Sequence, residues 1–482
     1  MKIGRPPISE TANLLVWIAL FALQSTGGLI DGIAFFYLPT SLTILLIRQI
    51  SLTRPAFDLS IVFLVSCIFF FCMGLILWPF STFSPTEISS LVISTFSWEQ
   101  LDSAAIWIGL SIAITMATMM TLRGGARRRS GSITLEHLGL DNTSFDGLYK
   151  IGVLSMTIAL PAVTLSSIEQ LRFIHDAGYL ALYTDGVPVS TTYKLFFYLF
   201  DLGFGLTLAY SKTRSQFLIP GFLFLIVAMI DSLKGARGAL LLPLLFVTWF
   251  YVERFNIRVR LLIVLRNLAI IVSAFAMLTF LRDPDLLGSG LLQFGVDALA
   301  SQGRSLQITA LYQTVSEQVA QYGNYTVLSN LLTPFIVLTH PEIREAAQSM
   351  NHVMYSNNLK HILTYVLNDA YYFAGGGTGG VYTIELLESG PFFYVLLSMA
   401  LGWFLVWMPA AMTKPWVRYL SIYFFSTVFY LPRGEFFFNT LIVGKALFLY
   451  LMIVGLYGIF KRRKLVKRRS FDIPLTKLNA RN

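Results

Sequence analysis

Apolar runs of about twenty residues recur along this chain, and they constrain its fold more than any other feature. A helix needs roughly 20 mostly apolar residues to cross about 30 Å of hydrocarbon, and in lipid only helices and closed barrels satisfy every backbone polar group. Twelve such runs lie near 12–30, 33–47, 59–78, 103–121, 151–167, 195–210, 217–232, 239–252, 261–281, 391–412, 416–431 and 440–460. They explain why 55% of the residues are hydrophobic and only 13% charged, where soluble domains carry about 25% charge. Soluble and disordered classes are excluded. The chain reads as an all-α integral membrane protein with about 12 transmembrane helices. Lys2 and Arg5 precede the first run but no small-residue cleavage site follows it, so it reads as a retained span.

The net charge of +10 is a topology signal before it is a hint of nucleic acid. With the N-terminus inside, 26 of the 36 Lys and Arg residues fall inside and 10 outside, while 7 of the 26 acidic residues fall inside and 19 outside. The inside groups include Arg123 with Arg127, Arg128 and Arg129, then Arg254 with Arg258 and Arg260, and the tail from Lys461 to Lys464. Both termini are therefore expected in the cytoplasm, with the basic clusters attracted to anionic membrane lipid. No motif for binding nucleic acid is present. Cys67 and Cys72 share one apolar run, which leaves no basis for a disulfide framework or a thiolate metal site.

This division predicts spans 1–9 within residues 1–281, a long outer loop over 282–390, spans 10–12 within 391–460, and a basic cytoplasmic tail over 461–482. A loop this long is uncommon unless it carries function. Its apolar spacing at Leu291, Leu292, Ala298, Leu299, Ile308, Leu311, Tyr312 and Val315 predicts amphipathic helices. The apolar run Thr326–Leu338 is too short to cross and suits an interfacial or re-entrant segment.

The ten cations on the outer side oppose the insertion bias, so each needs a reason. Lys234 and Arg237, within Asp231–Gly238, share a helix face and sit beside two glycines, a set suited to an anion such as a diphosphate. The alternative is a plain turn in which Asp231 neutralises Lys234. In the turn Leu431–Glu435, Arg433 can clamp a phosphate and Glu435 can accept a hydroxyl proton; a mutual salt bridge is the alternative. Lys445 either adds a further positive wall or pairs with Asp201. The loop adds Arg304 within Ser301–Leu306, the glycine run Gly375–Gly380 followed by Glu385, and three of the four outer histidines (His340, His352 and His361, with His175 elsewhere). Asp283 and Asp285 form a DxD-like pair that also reads as an ordinary helix stop. Neither metal-ligand spacing nor an ATP- or dinucleotide-binding loop is present, so no metal and no cofactor is expected.

The set resembles the O-antigen polysaccharide polymerase (Wzy) family. The resemblance rests on KGxRG at an outer helix end, SQG-R-SL in the loop, the glycine run leading to Glu385-Leu386, and Pro432-Arg433-Gly434, all within roughly 225–440. It implies a GT-C-like glycosyltransferase of the bacterial inner membrane, its active site facing the periplasm. Such an enzyme joins undecaprenyl-diphosphate-linked oligosaccharide units, as donor and acceptor, into a surface polysaccharide, with a chain-length regulator protein as a further partner. Lys234, Arg237, Arg304 and Arg433 would then stabilise the leaving diphosphate, and Glu435, or else His352, would assist the attacking hydroxyl. Tyr371 and Tyr372 are candidates for stacking on sugars. An O-antigen ligase, which passes glycan to a lipid A core, shares this architecture. A lipid-linked-oligosaccharide flippase is the rival from another class, but it would place its charges near the midplane.

Overall fold

The computed structural model describes residues 8–52, 58–82, 95–126, 146–177, 191–234, 238–255, 257, 291–344 and 348–471. Among them the chain is nearly all helix. Its long elements are α1 (Ile8–Ser25), α2 (Ile33–Leu52), α3 (Leu59–Phe80), α4 (Trp98–Ala126), α5 (Asp146–Ala177), α6 (Thr191–Tyr210), α7 (Arg214–Ser232) and α8 (Gly238–Arg254). After the polar segment come α16 (Gly390–Ala411), α17 (Pro415–Tyr430) and α18 (Thr440–Phe471). Eight of these, α1 to α5 with α7, α16 and α18, are long and apolar enough to cross a membrane. The runs at 195–210, 239–252 and 416–431 also form helices, but α8 has 17 residues and α17 only 16. The run at 261–281 and the Asp283–Asp285 pair lie outside the described residues.

Close crossings are made where side chains are small. Gly152 of α5 and Gly203 of α6 face each other so tightly that a Cβ on either would come within 2.8 Å of the other's carbonyl oxygen, the small-residue packing by which helices associate without a hydrophobic drive. Polar contacts fix the rest. Asp102 on α4 accepts from the amides of Gly32 (2.6 Å) and Phe35 (2.8 Å), capping the free N–H groups at the start of α2. Ser111 of α4 meets Tyr382 Oη and Ser398 Oγ at 3.2 Å each, tying α4 to α16.

Charged groups gather at one end of the bundle. There Arg123 bonds both carboxylate oxygens of Asp58 at 2.7 Å, Arg48 meets Glu10 at 2.9 Å, and Lys212 meets Asp146 at 2.6 Å. Arg418 is buried with its guanidinium on the carbonyls of Ala209, Met412 and Thr413, where the last turns of α6 and α16 leave acceptors unfilled and carry negative partial charge. No ion pair joins Asp201 to Lys445 among the described residues.

The polar segment folds against the opposite end as α9 (Leu291–Ala300), α10 (Ser305–Ala320), α11 (Ser329–Thr339), α12 (Met350–Tyr355), α13 (Leu359–Leu367), α14 (Asp369–Phe373) and α15 (Tyr382–Glu388). The run expected to be interfacial is a short apolar helix over Thr326–Thr339, and it leaves Leu331, Leu332, Phe335 and Leu338 exposed.

Candidate functional site

Three of the motifs singled out in the sequence meet at this end, although they are far apart along the chain. The meeting begins at α3, which carries a π-helical turn over Ile68–Cys72, a register change often found at functional sites. Just beyond it the 3-10 turn Ser301–Arg304 crosses α3 backbone to backbone. A Cβ on Gly303 would lie 2.0 Å from the Gly74 amide nitrogen, so only glycine permits this approach.

That crossing sets Arg304 near Arg433, which ends the 3-10 turn Leu431–Arg433 after α17. Arg433 donates to Gln302 Oε1 at 2.6 Å, and its guanidinium stands 5.9 Å from the Phe70 ring centre. Burial lowers the Arg304 pKa, and the neighbouring charge of Arg433 lowers it further. Two cations held in mutual repulsion form a region that favours an anion.

Two carboxyl groups lie beside them. Glu435 is buried, and Asn330 of α11 donates to its Oε2 at 2.5 Å. Glu385 of α15 is 1% exposed; its Oε2 accepts the Phe436 amide at 2.6 Å and its Oε1 has no hydrogen-bond partner. Burial holds the Glu385 carboxyl well above the usual glutamate range, and the charge of Glu435 raises it further. Burial beside Glu435 therefore favours the neutral form of Glu385. The glycine run borders Glu435 and Arg433. A Cβ on Gly380 would lie 3.7 Å from Glu435 Cγ, and one on Gly379 3.9 Å from the Arg433 carbonyl. Gly379 takes a left-handed φ of 84°, which favours glycine. Thr378 anchors the run through Thr364 at 2.9 Å.

The decisive comparison concerns the whole chain. A family model for the O-antigen polysaccharide polymerase Wzy matches residues 12–464. The chain belongs to that family. The match extends well beyond the 225–440 stretch that carried the motifs. No curated protein and no solved structure matches it. Membership of the Wzy family brings lipid-linked oligosaccharide substrates in a membrane and a part in polysaccharide biosynthesis.

The remaining sequence candidates of this Wzy-family chain lie in other surroundings. Lys234 Nζ meets Asp231 Oδ1 at 2.6 Å, Gln170 Oε1 at 2.7 Å and Ser167 Oγ at 3.3 Å, so Asp231 pairs with Lys234. Arg237 lies outside the described residues. His352 is buried, with Ser349 Oγ 3.0 Å from Nδ1 and the Ile343 carbonyl 3.1 Å from Nε2. Its ring stacks on His361 at 4.9 Å, and burial drives the His361 pKa down to about 3. Tyr372 is fully buried and hydrogen-bonds the Ser349 carbonyl at 3.1 Å, which removes it as a sugar platform. Sequence reasoning missed Phe70 and Asn330, and gave Gln302 no role beyond its place in the SQG-R-SL motif. Asn330 carried a signal, an amide inside an apolar run at membrane depth; Phe70, one of 40 phenylalanines, carried none.

Proposed function

We propose that this end of the bundle is the active site of a lipid-diphosphate-dependent glycosyltransferase that polymerises O-antigen repeat units on the outer face of the membrane. The observation that carries the reading is the convergence of Arg304 and Arg433 beside the Glu385–Glu435 pair. Arg304 and Arg433 take the diphosphate of the undecaprenyl-linked donor. Glu435 accepts the proton of the acceptor hydroxyl as that oxygen bonds the donor's anomeric carbon. The bond from that carbon to the phosphate oxygen breaks, and its electron pair leaves with the diphosphate, whose growing charge the two arginines stabilise. Glu385, whose burial favours its neutral form, keeps a second negative charge away from the leaving group.

Lys234 and His352 are given supporting roles in this scheme, because their polar atoms are engaged with Asp231 and Gln170, and with Ser349 and Ile343. Arg237 stays a candidate for the clamp. The test is complementation of a polymerase-deficient strain. Arg433→Ala and Arg304→Ala should each reduce the lipopolysaccharide ladder to one-unit bands at unchanged protein level. Arg433→Lys should also be impaired, since a planar fork suits a diphosphate better than an ammonium. A full ladder from both alanine variants would sink the proposal.

A further inference from the structure

Next to this site lies a cavity that the diphosphate chemistry does not use. Helices α16 and α17, joined by the turn Met412–Lys414, meet near that turn, with the Trp407 and Trp416 ring centres 6.1 Å apart and those of Phe404 and Phe424 5.5 Å apart. Farther from the turn, α16, α17 and α18 enclose about 280 Å³ lined by Ala400, Phe404, Val428, Leu431, Phe436 and Val443, among others. Leu431 and Phe436, which flank Arg433 and Glu435 in the chain, also line this cavity, and the Phe436 amide is the group bonded to Glu385. The cavity and the charged site therefore share one wall.

Its chemistry is that of a hydrocarbon site. The polar residues of its lining bond to neighbouring protein groups: Asn439 Nδ2 donates to the Tyr423 carbonyl (3.0 Å) and to Thr427 Oγ1 (3.3 Å), and Thr440 Oγ1 donates to the Phe437 carbonyl (2.8 Å). A space lined this way offers water and sugar hydroxyls little, and apolar cavities stay dry. Trp403 of the lining is 48% exposed, on a helix long and apolar enough to cross a membrane.

We propose that this cavity takes the diphosphate-proximal isoprenyl units of the lipid-linked donor. The inference rests on the reading of Arg304 and Arg433 as the diphosphate site: with the anion there, the first carbons of its tail emerge at the Leu431–Phe436 wall. A volume at the small end of ligand pockets, which run from about 300 Å³, receives only the start of a long tail and leaves the remainder to the bilayer. The tail so held fixes the direction from which the diphosphate enters, and it separates a polyisoprenyl donor from a phospholipid whose headgroup could also reach the arginines.

The test uses the full-length protein in vesicles with a polyprenyl-diphosphate oligosaccharide that carries a photoreactive diazirine on its first isoprene unit. Label is expected on peptides spanning 400–404 and 424–431, and it should be competed by unlabelled substrate. Ala400→Trp, at an exposed edge of the cavity, and Val443→Phe, on the opposite wall, should each remove that label and raise KM about tenfold with kcat retained; unchanged melting temperatures would show that they fold. Label elsewhere, while the wild type elongates and Arg433→Ala does not, overturns the tail site and leaves the diphosphate site standing. Equal labelling of the same peptides by a diazirine phospholipid that substrate cannot displace also overturns it. Normal elongation by Arg433→Ala fails the underlying reading instead, whatever is labelled.

Discussion

At the scale of single residues, the site depends on two carboxyl groups that differ although they are neighbours. Glu435 receives a hydrogen bond from an amide side chain, whereas Glu385 is sealed in with one oxygen unpartnered. Because its folded pKa is raised, the fold binds the Glu385 proton more tightly than the unfolded chain does. The stability from this group is complete below the unfolded glutamate value of about 4.3 and is lost as pH rises through the folded value. Glu385→Gln is always neutral and keeps an acceptor for the Phe436 amide. The wild-type melting temperature should therefore fall more steeply than the variant's as pH rises above about 4.3; parallel curves would contradict a raised Glu385 carboxyl. Lys234 is the opposite case. It is 12% exposed and hydrogen-bonded to Gln170 and Asp231, so Lys234→Met should cost about 1.5–3 kcal/mol of stability. Elongation per folded molecule should be nearly unchanged, checked by normalising ladder intensity to the protein that survives purification.

At the scale of elements, the site is assembled by one crossing. Arg304 reaches Arg433 because the Ser301–Arg304 turn presses onto α3 at Gly74. Gly303→Ala places a methyl 2.0 Å from backbone nitrogen, and backbone cannot swing aside as a side chain can. Gly74→Ala meets its nearest atom, the Ala300 carbonyl oxygen, at 3.2 Å. The first substitution should cost more than about 2 kcal/mol and abolish elongation, while the second should leave measurable elongation. Thermal unfolding and the ladder together read this order, and equal effects would contradict the crossing. The pairing of glycines 229 positions apart has no local signature, which is why the sequence showed the motifs but not their convergence. What it did show follows from chemistry that short spacing reveals. In an apolar chain, Arg304, Arg433 and Glu435 stand out as charges out of place. The contact of Lys234 with Asp231, three residues earlier, was legible for the same reason. The burial of His352, Glu385 and Tyr372 was hidden because it depends on how α12 to α15 pack on one another.

At the scale of the whole molecule, charge separates by end. The end with Glu10, Arg48, Asp58, Arg123 and Arg418 is the one that the Lys and Arg distribution assigns to the cytoplasm, and the site lies at the other. Apolar length made the spans legible, yet α8 and α17 show its limit, since a helix of 16 or 17 residues falls below the length usually needed to cross alone. Cysteine labelling in intact cells checks the arrangement. Gly377 is exposed and has open space for a side chain, whereas its neighbour Gly376 packs on the Tyr371 ring. Gly377→Cys should react with an impermeant maleimide from outside, and Thr413→Cys in the α16–α17 turn should react only after permeabilisation. The reverse pattern would put the site on the wrong side for an outer-face polymerase.

The central claim is that Arg433 and Glu435 act directly on the lipid-linked substrate. The most direct measurement is chain elongation by purified protein in vesicles supplied with diphosphate-linked repeat units. The wild type should build chains of many units. Glu435→Gln should lower kcat by about 10²-fold or more with its melting temperature intact, and Arg433→Ala should give single units only. Elongation by both variants at the wild-type rate would contradict the account.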